Sequence, residues 1–372
     1  MGPFDPLLAS PLASAAMEPG ARLGRYAVLR KIAVGGMAEV YLARQEGPEG
    51  FEKPVALKQI LPHLAIEAGL VDMFLEEARI AARLSHPNVV QIFDLGIEGR
   101  TPFLAMEYVF GEPLSQLRDR LASQGRKLPL EAALFIATNL CLALHHAHTF
   151  ALGPKPQPIV HRDVSPQNVL ISFEGTVKLA DFGVAKAKGA SKTTTVGLIK
   201  GKVGYMSPEQ ALGESVDART DLFALGVVLY ELVTGQAPFT GKSMSAILDA
   251  VTNESAPPAP SRLCGCPEDF DAVLLKALEK RKEQRFQSAA ELLASLEELQ
   301  RKHALVANSL TLGRLMEEAF GHPNVAHEEA PTIVNRVVAY LDTRASAPRR
   351  DSKAPTEPGT DPDTDPTVLR RL

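Results

Sequence analysis

The stretch from His161 to Gly183, HRDVSPQNVLISFEGTVKLADFG, constrains this chain more than any other part of it. It contains an aspartate, an asparagine five residues later, two short apolar segments separated by a turn, and a second aspartate. Apolar segments of this kind predict a β-hairpin, and the residues just before and just after a hairpin lie close together. We therefore expect Asp163, Asn168 and Asp181 around one cleft.

The three side chains predict metal binding and proton transfer in that cleft. Carboxylate and amide oxygens are hard ligands that suit Mg²⁺ better than zinc, so Asn168 and Asp181 are candidate metal ligands. Asp163 is the remaining carboxylate, and it is available to accept a proton from an incoming hydroxyl or to orient that hydroxyl. An acidic hairpin that binds nothing is the alternative interpretation.

HRD with an asparagine five residues after the aspartate, followed by DFG, resembles the catalytic and magnesium loops of eukaryotic-type (Hanks-type) serine/threonine protein kinases of bacteria. The resemblance covers Tyr26 to about Leu299. It implies an α+β fold of two lobes, with a five-stranded antiparallel sheet and one helix in the N-lobe and a mostly helical C-lobe. It also implies transfer of the ATP γ-phosphate to Ser or Thr hydroxyls of protein substrates, with Mg²⁺ as cofactor.

The chain divides accordingly into four parts. Residues 301–341 are predicted to form a short helical extension, and the tail is rich in Pro, Thr, Asp and Arg, a composition typical of disorder. Met17 is a candidate for the true start. The predicted parts are a flexible leader at 1–25, a catalytic domain at 26–300 with an N-lobe at 26–110 and a C-lobe at 111–300, the extension, and a disordered tail at 342–372.

Composition argues against several other classes of protein. A net charge of -4 and a pI near 6.2 disfavour nucleic acid as the main partner, because binding to a phosphate backbone needs a basic face. No run approaches the roughly 20 apolar residues that cross a bilayer, which predicts that the chain has no transmembrane segment. Three cysteines provide no disulfide framework, and this favours a cytoplasmic location.

A short glycine-rich segment separates the first two predicted strands. Such a turn lets backbone N–H groups approach phosphate oxygens, although a plain hairpin turn is an equally simple interpretation. The family's pattern of three spaced glycines and a valine falls here on two alanines, one glycine and a valine, so only the middle glycine is kept. The resemblance implies that this loop covers the nucleotide with Ala33, Val34, Gly35, Gly36, Met37, Ala38 and Val40.

Lys58 ends the apolar strand VALK, and Glu77 borders the apolar stripe of a helix predicted from Val71 to Leu84. The resemblance implies that the two form the ion pair that positions the α- and β-phosphates. Two solvated surface charges are the alternative.

The resemblance also implies an adenine site. It makes Met106 the gatekeeper and assigns the hinge, whose backbone groups bind adenine, to Glu107 through Val109. The apolar surfaces on either side of adenine would come from Val40, Ala56 and Leu170, which are also plausible as ordinary core residues.

Two departures from the family pattern occur together. The family places a lysine two residues after the catalytic aspartate, where it contacts the γ-phosphate, and a threonine in the later GTxxYxxPE segment. This chain has Ser165 at the first position and Lys202 at the second. Because the transferred phosphoryl group still requires a cation, we expect Lys202 to supply the charge that Ser165 cannot.

The polar segment between Asp181 and Glu209 contains Ser191 and the run Thr193 to Thr195. Arg162 is typical of kinases whose activation loop is ordered by a phosphate that pairs with this arginine. We predict autophosphorylation within Thr193 to Thr195, with self-association allowing the reaction in trans. A merely flexible loop is the alternative.

Three further residues match structural positions of the family: Asp221, expected to brace the HRD backbone, and the expected ion pair of Glu209 with Arg285. A pseudokinase scaffold that binds nucleotide but catalyses little is the main rival function, suggested by Ala33, Ala38 and Ser165. A small-molecule phosphotransferase is disfavoured by the long activation segment and the SPE motif.

Overall fold

The computed structural model describes residues 17–34, 38–48, 51–61, 68–98, 101–182, 202–253 and 256–321. A six-stranded antiparallel sheet in the order β1-β2-β3-β4-β6-β5, together with helix α1, forms the N-lobe. The five predicted strands are confirmed, and the two-residue strand β1 extends the sheet at one edge. The elements are β1 (Arg22–Leu23), β2 (Tyr26–Val34), β3 (Ala38–Glu46), β4 (Glu52–Ile60), α1 (Ala68–Ala81), β5 (Ile92–Glu98) and β6 (Thr101–Glu107).

Both faces of the central strands are buried, because successive side chains of a strand point to opposite faces. Tyr41 and Leu57 pack into a cluster on one face, and Val40 and Ala56 pack into another cluster on the opposite face. The first cluster is covered in part by Met17. The second faces the junction with the C-lobe, since Leu170 packs against it.

The C-lobe is mostly helical, as expected. Its core is formed around α3 and α5, which bury almost all of their apolar side chains. Its helices are α2 (Leu114–Ser123), α3 (Leu130–His148), α4 (Pro208–Leu212), α5 (Ala218–Thr234), α6 (Met244–Thr252), α7 (Pro260–Cys264), α8 (Asp269–Ala277), α9 (Ala289–Lys302) and α10 (Ser309–Phe320).

The predicted hairpin is present between β10 (Val169–Ser172) and β11 (Val177–Leu179). Strand β7 (Gly111–Pro113) pairs with β10 and completes a three-stranded sheet in the order β11-β10-β7. A second small hairpin joins β8 (Ala151–Leu152) to β9 (Lys155–Pro156). The pairing of β7 with β10 connects the first hairpin directly to the chain that leaves the N-lobe.

Among the helices that the structure describes, only α3 is long and apolar enough to qualify as a membrane span by length and composition. Its apolar window is 61% buried inside the protein, as expected for the core helix of a globular domain. The burial gives α3 a structural role in the C-lobe.

Candidate active site

The hairpin brings the predicted oxygen-bearing side chains together. Asn168 precedes β10 and Asp181 follows β11, and the N–H of Ala180 donates to the carbonyl of Asn168 over 2.8 Å. Asn168 Nδ2 donates to the backbone carbonyl of Asp163 over 2.7 Å and to its Oδ2 over 3.0 Å. The catalytic-loop aspartate is thus tied to the start of the hairpin.

Lys58 reaches the same place from the N-lobe. It lies on β4 opposite Val40 and Leu104, and only 6% of its surface is exposed. Its Nζ lies 3.0 Å from Oδ1 of Asp181, a residue with a left-handed backbone (φ 55°). Such a backbone is uncommon for a residue with a side chain, and it is concentrated at functional sites.

Lys202 reaches Asp163 from the other side. Its Nζ lies 2.7 Å from Asp163 Oδ2, and the lysine is 5% exposed at the start of a 3₁₀ turn formed by Val203–Tyr205. Ser165 is buried, and its Oγ has no hydrogen-bond partner within the described part of the chain. The ammonium predicted to replace the missing lysine therefore contacts the catalytic-loop carboxylate.

Asp221, on α5, fixes the backbone of the catalytic loop. It is fully buried, and its carboxylate accepts the N–H groups of His161 and Arg162, each over 2.7 Å. His148 Nε2 lies 2.8 Å from the same carboxylate. Arg162 has a left-handed backbone (φ 64°), so these bonds hold a strained conformation in place next to Asp163.

The ring of His161 is fully buried beneath the catalytic loop. Burial lowers its pKa, although several nearby carboxylates oppose this effect. Its Nδ1 accepts from the N–H of Asp163 over 3.2 Å, and its Nε2 lies 3.0 Å from the carbonyl of Ala180. The ring also contacts Phe182 at a centroid distance of 4.5 Å. His161 thereby links the catalytic loop to the far end of the hairpin.

An apolar surface lines the N-lobe side of the cleft. The predicted gatekeeper Met106 belongs to one cluster with the residues predicted to contact adenine, Val40, Ala56 and Leu170. Sequence reasoning missed two members of this cluster, Ile32 and Leu42, and it placed a third member, Tyr108, only within the hinge.

The segment predicted to be the hinge, Glu107 to Val109, begins at the end of β6. Glu107 ends β6, its N–H donates to the carbonyl of Gln91 over 2.8 Å, and its carboxylate pairs with Lys178 on β11 over 2.9 Å. Val109 is buried just beyond it. The N-lobe is therefore joined to the hairpin by an ion pair as well as by the chain.

The predicted pair of Glu209 and Arg285 is present and buried. Arg285 donates Nη1 to Oε1 over 2.8 Å and Nη2 to Oε2 over 2.7 Å. Burial opposes the charged form of Glu209, but the bonds to Arg285 outweigh burial and hold the pKa of this carboxyl below its ordinary value. This bidentate pair anchors α4, which follows Lys202 in the chain.

Several predicted site residues lie outside the described residues in whole or in part. Gly35, Gly36 and Met37 do so entirely, as do Ser191 and Thr193 to Thr195. Ala33 and Val34 belong to β2 and Glu77 belongs to α1, but their side chains are not described. Ala38 begins β3 and is fully buried.

A cavity of about 350 Å³, lined by both polar and apolar residues, lies between α1 and the catalytic loop. Three arginines line it: Arg79, Arg83 and Arg162. Glu76 lies 3.9 Å from Arg79, and Arg83 donates to Gln157 over 3.4 Å. Three guanidinium groups against one carboxylate favour an anion as the occupant.

The chain is similar to known proteins in both sequence and structure. The family model for the protein kinase domain matches residues 26–296. The chain is 39% identical over 327 residues to the tyrosine-protein kinase MasK of Myxococcus xanthus, which covers 87% of this chain and 50% of MasK. It is 41% identical over 279 residues to the serine/threonine-protein kinase PknB of Mycobacterium tuberculosis, which covers 73% of this chain and 42% of PknB.

A solved structure agrees with these matches. The crystal structure of the kinase domain of Mycobacterium tuberculosis PknI superposes with a TM-score of 0.58 at 30% identity and covers 76% of this chain and 98% of that domain. The chain spans half or less of the length of the two curated relatives described above.

Proposed function

Since the chain belongs to the protein kinase family, we propose that it transfers the γ-phosphate of ATP to Ser or Thr hydroxyls of protein substrates. The observation that carries this proposal is the convergence of four side chains at one end of the hairpin. Lys58 forms an ion pair with Asp181, and Asn168 donates a hydrogen bond to Asp163. A pseudokinase scaffold is the alternative. The joint presence of these four groups argues against it.

The donor set fits Mg²⁺. Asn168 makes both bonds to Asp163 through Nδ2, so its Oδ1 is the atom that would face a cation. Lys58 engages Oδ1 of Asp181, and Oδ2 would be the second ligand. Amide and carboxylate oxygens with room for phosphate oxygens are the ligands that Mg²⁺ prefers. When bound, the metal supplies charge neutralisation on the phosphates.

Asp163 is proposed to orient the acceptor hydroxyl and to accept its proton. Its carboxylate is held by Asn168 and Lys202, and its backbone N–H is held by His161. A carboxylate fixed in this way is preorganised for proton transfer and loses little entropy when the acceptor arrives.

Lys202 is proposed to supply the positive charge opposite the transferred phosphoryl group. It is buried, so its charge acts in an environment with little water. The Nζ of Lys202 lies beside Asp163, which is the position that this role requires. Ser165 carries no positive charge and cannot take the role. A fixed positive charge next to the place where negative charge develops in the transition state is commonly the largest contribution to catalysis.

Lys58 is proposed to bind the α- and β-phosphates, with Glu77 as its partner on α1. The glycine-containing loop, from Ala33 to Ala38, would cover the phosphates through its backbone N–H groups. The apolar cluster around Ala56 would hold adenine, and the backbone of Glu107 to Val109 would hydrogen-bond it.

The acceptor is proposed to be Ser or Thr and not Tyr. In the catalytic loop HRDVSPQN no arginine follows Asp163, and the arginine-bearing loop typical of dedicated tyrosine kinases is therefore lacking. PknB, which is named a serine/threonine-protein kinase, shares 41% identity, but MasK, which is named a tyrosine-protein kinase, shares 39% over a longer alignment. Tyrosine transfer is therefore the second candidate. Otherwise identical peptides with Ser, Thr or Tyr at one position would decide between them.

Activation is proposed to occur by autophosphorylation within Thr193 to Thr195. The three-arginine cavity that includes Arg162 supports this, because a phosphate on the segment that begins after Asp181 could form charge-assisted hydrogen bonds there. Association of two copies would allow the reaction in trans. Phosphosite mapping after incubation with ATP, beside Asp163→Asn, tests the site, and a rate that is linear in enzyme concentration would contradict trans transfer.

We propose a cytoplasmic location and protein substrates in place of nucleic acid. The three cysteines are free thiols, as a reducing compartment allows. Fractionation of the source cells tests the location, and recovery in the membrane fraction would contradict it.

One assay separates the candidate functions. Purified protein is incubated with labelled ATP, Mg²⁺ and a generic protein substrate, beside Asp163→Asn and Lys58→Met. The proposal predicts label on protein with the wild type and at least about 100-fold less with either variant. Nucleotide binding without transfer would favour the pseudokinase, and label only on small molecules would favour a small-molecule phosphotransferase.

A further inference from the structure

Helix α10 lies beyond the region that the kinase family model matches, yet it packs on the large lobe. Asn308 caps its start by accepting the N–H of Thr311 over 3.0 Å. One face is buried in the main core, and the opposite face is exposed at Arg314. The buried face consists of Leu312, Gly313, Leu315, Met316 and Ala319.

The first half of α10 touches the turn of the hairpin, backbone to backbone. A Cβ on Gly175 would lie 1.9 Å from the carbonyl oxygen of Ser309, and Gly175 has a left-handed backbone (φ 79°). A Cβ on Gly313 would lie 2.9 Å from the carbonyl oxygen of Phe173. Neither position has room for a side chain, so the contact depends on glycine on both sides.

The second half of α10 is held by α2. The carbonyl of Ala319, at the end of the helix, accepts Nε of Arg120 over 2.8 Å and Nε2 of Gln124 over 3.3 Å. These donors satisfy a carbonyl that has no partner within its own helix. The helix is therefore fixed at both ends.

Aromatic contacts extend this connection to the chain that leaves the N-lobe. Phe320 meets Phe173 edge to face at a centroid distance of 6.4 Å, and Phe173 meets Phe110 at 5.1 Å. The N–H of Phe173 donates to the carbonyl of Phe110 over 2.9 Å. The hairpin turn is thus clamped between α10 and the segment just after the hinge.

We propose that α10 is a positioning element for the magnesium site, an inference that rests on the proposed roles of Asn168 and Asp181. The two hairpin strands are only four and three residues long, and these ligands lie at their open end. A clamp on the turn restricts the twist and tilt of so short a hairpin, and with them the placement of both ligands. Loss of a group that orients a metal ligand typically costs about 10-fold to 100-fold in metal affinity or activity.

The similarity to MasK extends beyond the catalytic domain. It covers 87% of this 372-residue chain. Even if that alignment began at residue 1, it would extend past Phe320, the last residue of α10. The similarity to MasK therefore includes this helix.

The test uses the full chain with Gly313→Leu. Leucine favours helix, so α10 itself should persist, but its side chain cannot fit against the carbonyl of Phe173. Phe320→Ala is a milder second variant that removes the contact with Phe173 without adding bulk. Arg314→Ala, on the exposed face of the same helix, is the matched control.

Two readouts are measured: the dissociation constant of ADP with and without Mg²⁺, and amide hydrogen exchange across residues 169–179. For Gly313→Leu we expect ADP binding in Mg²⁺ to weaken by about 10-fold to 100-fold, with metal-free binding nearly unchanged and faster exchange in the hairpin. Phe320→Ala should give a smaller effect of the same kind. Arg314→Ala should match the wild type.

Three outcomes would overturn the inference. The first is wild-type ADP affinity in Mg²⁺ for both Gly313→Leu and Phe320→Ala. The second is an equal loss of affinity with and without Mg²⁺, which would indicate general loosening. The third is a wild type whose ADP affinity does not depend on Mg²⁺. Of the three outcomes, only this one would also contradict the proposed roles of Asn168 and Asp181 as magnesium ligands.

Discussion

Replacement of Lys202 by alanine should reduce kcat strongly and leave the fold intact. The side chain of Lys202 is 4% exposed, that of Asp163 is 14% exposed, and Nζ and Oδ2 are 2.7 Å apart. Removal of a preorganised donor from a site of this kind commonly costs about 10²-fold to 10³-fold in kcat, or about 2.7–4 kcal/mol of transition-state stabilisation. Loss of the charge-assisted hydrogen bond should lower the free energy of unfolding by about 1.5–3 kcal/mol.

A second substitution distinguishes a catalytic role from a structural one. Ser165→Lys combined with Lys202→Thr restores the family arrangement, with the ammonium on the catalytic loop and a hydroxyl on the later segment. Because the same charge returns from the opposite side, this double variant should recover most of the lost kcat. Ser165→Lys alone would place two ammonium groups at one site and should lower activity.

The assay measures kcat and KM for transfer of labelled phosphate to a generic protein, with the free energy of unfolding measured in urea. Lys280→Ala is the matched control. Lys280 is a partly buried lysine that donates to the carbonyls of Ala250 and Val251, away from the active site. Loss of the Lys280 side chain should lower the free energy of unfolding and leave kcat unchanged. Two results would refute the idea that Lys202 replaces the missing catalytic-loop lysine. The first is a kcat of Lys202→Ala close to that of the wild type, and the second is a double variant no more active than Lys202→Ala.

Three further changes have defined outcomes. Asp181→Asn should raise the Mg²⁺ concentration for half-maximal rate by about 10-fold or more in a magnesium titration, and an unchanged titration would exclude Asp181 as a ligand. Glu209→Gln should lower the free energy of unfolding at pH 7 by about 3–5 kcal/mol, because the charge of Arg285 stays buried. The folded-state pKa of Glu209 lies below its ordinary 4.5, so its contribution is present above that pH and lost as pH falls through the folded value. Urea denaturation between pH 7 and pH 3 should therefore show a smaller acid loss in Glu209→Gln than in the wild type, and equal losses would contradict this. Arg162→Ala should make the rate insensitive to prior incubation with ATP, and a retained activation would contradict the proposed phosphate site.

The sequence predicted the hairpin that brings Asn168 and Asp181 together, because the determinants of the hairpin are local. Asn168 and Asp181 flank two short strands, so their proximity follows from the turn alone. The contact of Lys202 with Asp163 is not local. It could be predicted only because the family has a lysine at the position of Ser165 and a threonine at the position of Lys202. Spacing alone would not have placed Lys202 and Asp163 2.7 Å apart.

Other parts of the site could not be predicted, for physical reasons. Ile32 and Leu42 were missed because the central strands are buried on both faces, so alternation does not show which face meets the cleft. A helix within the extension was predicted, but its position was not. That position depends on two glycines, Gly175 and Gly313, that are distant in sequence and meet only after the C-lobe has folded.

The most direct test of the account compares the wild type with Asp163→Asn in two measurements on the same preparation: thermal stabilisation by ADP with Mg²⁺, and transfer of labelled phosphate from ATP to protein. Both proteins should gain thermal stability with nucleotide and metal, and only the wild type should transfer phosphate at a substantial rate. Equal transfer by the two proteins, or a wild type that neither gains stability nor transfers phosphate, would contradict the proposed function.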